Sequence, residues 1–206
     1  MNEAIILQIP CIVFAVCFHE YAHARAAYSL GDYTAYYQDR MNVNPFNHLD
    51  LLGTMAFIFI GIGWAKPVPF DPRNLSNPRK DMMLIAIAGP ASNIFLAVIG
   101  AIILRTLNIF YFDISTLFSY ALTYFIYINI ALALFNLIPI APLDGSKLLP
   151  LFIRDPRVLY KIEYYGPRVL LGLVLLSIIG GLSIFSIIIF EPAKLIFNLL
   201  TGINLV

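Results

Sequence analysis

Three stretches of this chain, residues 82–104, 114–143 and 169–190, contain no charged side chain, and each exceeds the roughly 20 apolar residues that a helix needs to cross a bilayer. A fourth apolar stretch, residues 4–30, is long enough but carries His19, Glu20, His23 and Arg25. It has no basic leading region, and a cleaved leader would not carry a His-Glu pair, so it is expected to be the first span. The whole composition agrees. Of 206 residues, 60% are hydrophobic and 12% charged, with a mean hydropathy of +0.83, whereas a soluble domain carries about 25% charge. That excludes a disordered chain, a nucleic-acid binder built on a basic surface, and most soluble enzymes. The formal net charge of +1 points to no electrostatic partner. Two cysteines, Cys11 and Cys17, both within the first span, are no disulfide framework.

The expected fold is mainly α, a polytopic membrane protein with about four full transmembrane helices in a single membrane-embedded domain, residues 1–206. Residues 51–65 are apolar but too short to span, and read as a re-entrant or interfacial hairpin with extended backbone at 57–60. Residues 34–43 alternate weakly and are expected to form a short membrane-associated strand. Such edges could accept an unwound peptide by strand addition. Residues 192–206 read as a C-terminal interfacial element. Trp64 to Phe70 suits the membrane interface, where Trp is enriched.

Basic residues give the orientation. Eleven of the thirteen Lys and Arg residues fall between spans one and two or between spans three and four. Cytoplasmic loops are enriched in these residues, so both large loops are expected to be cytoplasmic in a plasma membrane, with the termini on the opposite side.

Residues 19–23 read His-Glu-Tyr-Ala-His. Positions i and i+4 share one helix face, so both imidazoles can reach one metal ion. Zinc accepts imidazole nitrogen readily. Glu20 between them can take a proton from an attacking water and pass it to a leaving amine. Each ionisable residue inside a span costs about 2.5–3.5 kcal/mol on insertion scales, so three within five residues call for compensation by a metal and a wet cavity. The plainer alternative is a polar cluster satisfied by neighbouring helices, or an ion path. A catalytic zinc wants a third protein ligand. Asp144, just after the third span in Asn136-Leu-Ile-Pro-Ile-Ala-Pro-Leu-Asp144-Gly145, falls on the same side as His19 and His23. Taken alone it reads as an interfacial loop carboxylate, but beside a His pair that needs a ligand it reads as the third one.

Together these residues resemble the site-2 protease family of intramembrane zinc metalloproteases, peptidase family M50. His19, Glu20 and His23 match its first motif, and Asn136 through Gly145 its second. Gly89-Pro90-Ala91-Ser92-Asn93 looks like the segment opening the next core helix. The 63–69 segment is similar to the family's membrane-associated loop. Asn44-Pro45-Phe46-Asn47-His48-Leu49-Asp50 with Gly53-Thr54 looks like the short prokaryotic members without a PDZ or CBS domain. The resemblance implies a zinc endopeptidase cleaving single-span membrane proteins within their transmembrane segment, in regulated intramembrane proteolysis. His19, His23 and Asp144 would bind one Zn2+ per chain, with Glu20 as general base and acid. Asn136 would support the substrate backbone or oxyanion, or else make a helix–helix hydrogen bond. Asn93 would contact substrate or serve as packing glue, and Asn129 reads as packing. His48 would close over the metal as a regulatory ligand, or order its loop with Asp50.

The competing function is a membrane zinc or proton carrier using the same His, Glu and Asp cluster. A carrier calls for sites in both membrane halves or repeated halves, and the chain shows one cluster and no repeat. A non-catalytic scaffold would have no use for Glu20. The expected partners are a membrane-protein substrate and the lipid bilayer, with no nucleic acid. The sequence leaves the oligomeric state open.

Overall fold

A computed structural model describes residues 3–60, 63–110, 115–179 and 184–205. The chain is mainly helical. The described residues contain eight α-helices and no strand beyond an isolated antiparallel bridge, Leu49 with Ala65. Three helices hold stretches long and apolar enough to cross a membrane: Ile6–Ser29, Pro78–Ile109 and Thr116–Asn136. The fourth expected span, 169–190, includes residues 180–183, which lie outside the described residues. The chain falls into two compact units, Met1–Ser92 and Asn93–Val206.

The first unit begins with α1 (Glu3–Ser29). Its 27 residues rise about 40 Å, enough to cross a hydrocarbon core of about 30 Å. After it comes a polar cross-link. The buried Asp32 carboxylate accepts from Thr34 N (3.1 Å), Thr34 Oγ1 (2.5 Å), Asn74 Nδ2 (2.8 Å) and Asp71 N (2.8 Å). It thereby ties the chain after α1 to residues forty positions on. Burial pushes the Asp32 pKa up, but these four donors outweigh it and hold the carboxyl below its ordinary value.

The strand expected over 34–43 is corrected here: residues 34–37 form a helical turn, α2 (Thr34–Tyr37). Asp32 captures the first N–H. Local bonds then use the donors a strand would offer, from Gln38 N to Thr34 O (3.2 Å) and from Arg40 N to Ala35 O (2.8 Å). A short α3 (Pro45–His48) follows, with Asn44 accepting from Phe46 N and Pro45 at its first position, a favoured N-terminal arrangement.

The extended backbone expected at 57–60 is also corrected. Those residues lie in α4 (Leu51–Ile60). Asp50 caps this helix, its Oδ1 accepting from Gly53 N at 2.8 Å and its carbonyl from Thr54 N at 2.8 Å. The apolar run then propagates the helix without a breaker. The expected hairpin over 51–65 includes residues 61 and 62, which are outside the described residues. Its neck is closed by the Leu49–Ala65 bridge and by Lys66 N donating to His48 O (2.8 Å).

The long helix α5 (Pro78–Ile109) starts in a reciprocal cap. Asn77 Oδ1 accepts from Lys80 N (3.4 Å), and the Asp81 carboxylate accepts from Asn77 N (2.8 Å), which satisfies donors that a helix start leaves over. The Gly89–Asn93 segment is expected to open a core helix. Instead α5 runs through Pro90, and Asn93 sits mid-helix.

In the second unit, the core joins Ala97, Ala101 and Leu104 of α5 with Ile126 and Ile130 of α6 (Thr116–Asn136). Ile189 and the fully buried Phe197 complete it from the chain's last helical segment. Asn93 Nδ2 donates to Asn129 Oδ1 (2.9 Å), and Asn129 Nδ2 to Phe125 O (2.8 Å). Interhelical bonds of this kind contribute about 0.6 kcal/mol in membrane proteins. After α7 (Pro156–Ile179), the C-terminal element is α8 (Glu191–Thr201). It buries Ala193, Phe197 and Thr201 along one stripe and ends at Gly202, whose φ of 75° closes the helix in the left-handed region.

Asp32 gives the first test. Its folded pKa is lowered, so its contribution is full above the unfolded value of about 3.9 and is lost as pH falls through the folded one. Asp32→Asn should lower stability by about 1–3 kcal/mol near neutrality. Thermal unfolding of both proteins against pH should show the gap closing in acid. A gap independent of pH would remove the carboxylate's charge from the account.

Candidate metal centre

The C-terminal half of α1 presents His19 and His23 on one face, both buried. Their Nε2 atoms stand 3.0 Å apart, and the rings meet edge to face with centroids 4.6 Å apart. His23 Nδ1 lies 2.7 Å from Ile85 O on α5. A carbonyl only accepts, so this bond assigns the proton to Nδ1 and leaves a lone pair on Nε2, the pattern seen in metal-bound histidines. Pro90 carries no N–H, which weakens the helix ladder close to the turn presenting that carbonyl.

Gly89 explains why α5 can lie so close. A Cβ built at this position would meet Nε2 of His23, and Nε2 of His19 at 2.5 Å. The space in front of both ligand atoms is thus kept by a missing side chain. Two imidazoles aimed at one cleared point fit a metal ion. Glu20, half-buried, follows His19 on the same helix.

One nearby group escaped the sequence reading except as part of the basic count. Arg40 is buried, its Nη2 donating to Lys66 O (2.7 Å) and Pro67 O (3.2 Å), with Nε left without a hydrogen-bond partner. Burial lowers its pKa and the charge of Glu20 opposes that. No sequence signal distinguishes this arginine from a solvated one. His48 is fully buried, its Nε2 bonding Asn42 O at 2.6 Å and its Nδ1 unpartnered. This geometry orders the loop around α3.

The second motif lies in the second unit. Asn136 is the last residue of α6, its Nδ2 donating to Leu132 O (3.0 Å). Pro139 prevents the helix from continuing, and two tight turns, Ile140 N to Ile138 O and Leu143 N to Ile140 O, reverse the chain. Asp144, half-buried, then opens a 3-10 helix, Asp144–Leu151. Gly145 makes the reversal possible: a Cβ there would meet Leu137 O, and Ile138 O at 2.6 Å. The residue after Asp144 therefore packs on the residue after Asn136.

His19 and His23 of the first unit offer two imidazoles, and Asp144 of the second offers a carboxylate, donor types that zinc accepts. A helical, apolar chain with this first-helix motif defines a membrane metalloprotease as its class. Residues 7–177 match peptidase family M50, and the chain belongs to that family. It is similar to YwhC of Bacillus subtilis (strain 168), named a zinc metalloprotease, with 40% identity over 142 residues, 67% of this chain and 65% of that protein. Similarity extends to Rip2 of Mycolicibacterium smegmatis, also named a zinc metalloprotease, at 28% identity over 145 residues, 68% of this chain and 54% of that protein. The match thus spans less than two thirds of either relative's length. No solved structure matches.

The cleared space at Gly89 generates a test. Gly89→Ala places a methyl against both Nε2 atoms, so it should weaken metal affinity by about 10–100-fold, the range seen when support around a ligand is disturbed. Chelator competition measures this, with circular dichroism confirming that the helices persist. Unchanged affinity would show that α5 does not crowd the histidines.

Proposed function

We propose that the protein is a zinc-dependent intramembrane endopeptidase that cleaves single-span membrane proteins within their transmembrane segments. The observation that carries this is the histidine pair, buried on an apolar helix, oriented by a main-chain carbonyl and facing a space cleared by Gly89. Membership in peptidase family M50 and the names of its relatives support zinc and peptide hydrolysis.

In this reading His19, His23 and Asp144 hold one Zn2+ per chain. The bound metal supplies a Lewis acid that polarises the scissile carbonyl and makes water a better nucleophile. Glu20 takes the proton from the attacking water at its carboxylate and returns it to the leaving amine nitrogen. Asn136 donates from its side-chain amide to the substrate backbone, stabilising developing oxyanion charge without adding a cation. Asn93 supports the helices around the site, and His48 holds the loop that borders it. The chain forms one catalytic domain of about four spans, with residues 51–65 re-entrant or interfacial. In this reading the protein sits in the plasma membrane, and the bias of basic residues supports both large loops being cytoplasmic.

Glu20→Gln tests the chemistry. The amide keeps the shape of the carboxylate but cannot take up a proton. The variant should retain about one zinc per chain by elemental analysis while cleavage of a single-span substrate falls by at least about 10²–10⁴-fold. Asp144→Ala should lose activity and zinc together. Activity of zinc-loaded Glu20→Gln within a few-fold of wild type would refute the role given to Glu20.

Topology has its own measurement. With Cys11 and Cys17 replaced, single cysteines at Ser76 and Asp155 should be labelled from the cytoplasmic side. Labelling of both only from the opposite side would overturn the orientation and leave the zinc site untouched.

A further inference from the structure

The N-terminal half of α7 concentrates aromatic and basic side chains on one open face. Pro156, Arg157, Tyr160, Lys161, Tyr164 and Tyr165 line a groove of about 540 Å³. Arg157, Tyr160, Lys161, Tyr164 and Arg168 recur at three- and four-residue spacing, so they share a face. The rings of Tyr160 and Tyr164 stack at 6.1 Å, and Tyr165 meets Tyr164 edge-on at 4.9 Å. Arg168 lies 4.3 Å over Tyr164 and donates to Tyr164 O at 2.6 Å, which fixes its charge beside the groove.

The nearby carboxylates are otherwise engaged. Glu163 takes Lys147 at 2.8 Å, and Asp155 accepts from the main-chain N–H of Arg157. Among the described residues, the side chains of Arg157 and Lys161 have no carboxylate partner, and both are exposed. One turn further on the character of α7 changes. Val169, Leu171, Leu175 and Leu176 are 46–59% exposed in a stretch without charge. A basic, tyrosine-rich end running directly into exposed aliphatic surface matches the boundary between lipid headgroups and acyl chains.

We propose that this groove binds the phosphate-bearing headgroup of an anionic phospholipid, with Arg157 and Lys161 on the phosphate and the acyl chains along 169–176. The tyrosines supply hydroxyl donors and flat walls at the depth where the glycerol backbone sits. An inorganic anion would leave the aliphatic surface uncovered, which is why a lipid is the better occupant. The assignment is independent of the zinc chemistry, since it uses no residue of that site.

Native mass spectrometry of the full chain, released from neutral detergent with dioleoyl phosphatidylglycerol or dioleoyl phosphatidylcholine, tests this. The wild type should retain phosphatidylglycerol in preference to phosphatidylcholine. Arg157→Gln with Lys161→Gln should weaken phosphatidylglycerol binding by about 30-fold, taking about 1 kcal/mol for each basic residue near an anionic lipid. A control that removes the same charge elsewhere, Arg79→Gln with Lys80→Gln, should bind as wild type does. Equal losses in the two double variants, or equal retention of the two lipids, would overturn the site. Displacement of bound lipid by millimolar inorganic phosphate would reassign the groove to a free anion, and displacement by a soluble acidic peptide would reassign it to a protein partner. Either result also overturns the lipid assignment.

Discussion

A polar group placed inside an apolar helical protein has to find its partner within the chain, because neither lipid nor a hydrocarbon core offers one. That requirement organises what this structure does with its few buried polar residues. His23 is matched by a main-chain carbonyl, Asn93 by Asn129, Asp32 by four donors, and Arg40 by two carbonyls of the 66–67 segment. Each match also fixes geometry. The Asp32 bonds set where the chain leaves α1, and those of Arg40 and His48 set the neck beneath α4. The histidine pair is the demanding case, since two imidazoles 3.0 Å apart share a space that only a metal or a proton shared between them makes favourable.

Apolar content and the histidine spacing were readable directly from the sequence because both depend on short-range pattern. A run of uncharged residues longer than a bilayer's thickness has few fates, and His-x-x-x-His on a helix has one geometry. The long helices and the pairing of His19 with His23 follow from those facts. What escaped the pattern was decided by single side chains acting on the backbone. Weak alternation over 34–43 suggested a strand, but Asp32 captured Thr34 N and turned the chain. The apolar 57–60 segment looked extended, but Asp50 seeds a helix that runs through it. Pro90 looked like a boundary, and the helix absorbs it.

The histidine pair was legible in the sequence, and what supports it was less so. Glycines 89 and 145 stood in the recognised motifs, but only three dimensions show that each is the absence of a Cβ where another atom lies. Arg40 is invisible to composition, since a buried guanidinium and a solvated one contribute the same letter. The groove on α7 needed the structure for a similar reason: its tyrosines and cations are ordinary in sequence, and their meaning comes from which carboxylates have already been used elsewhere.

The bond from His23 Nδ1 to Ile85 O has a mechanical side. The acceptor belongs to the main chain, so substitution of the isoleucine leaves it in place. The orientation of the ring therefore depends on the axial register of the early part of α5 against α1, and hardly at all on the identity of residue 85. The next carbonyl on that face lies a full turn away, about 5.4 Å along the axis, so a smaller slide of one helix past the other offers no replacement acceptor and would turn the imidazole away from its mate. Bilayers of different thickness bias long helices toward different tilts and offsets, so the thickness of the surrounding membrane is geometrically connected to the aim of one histidine.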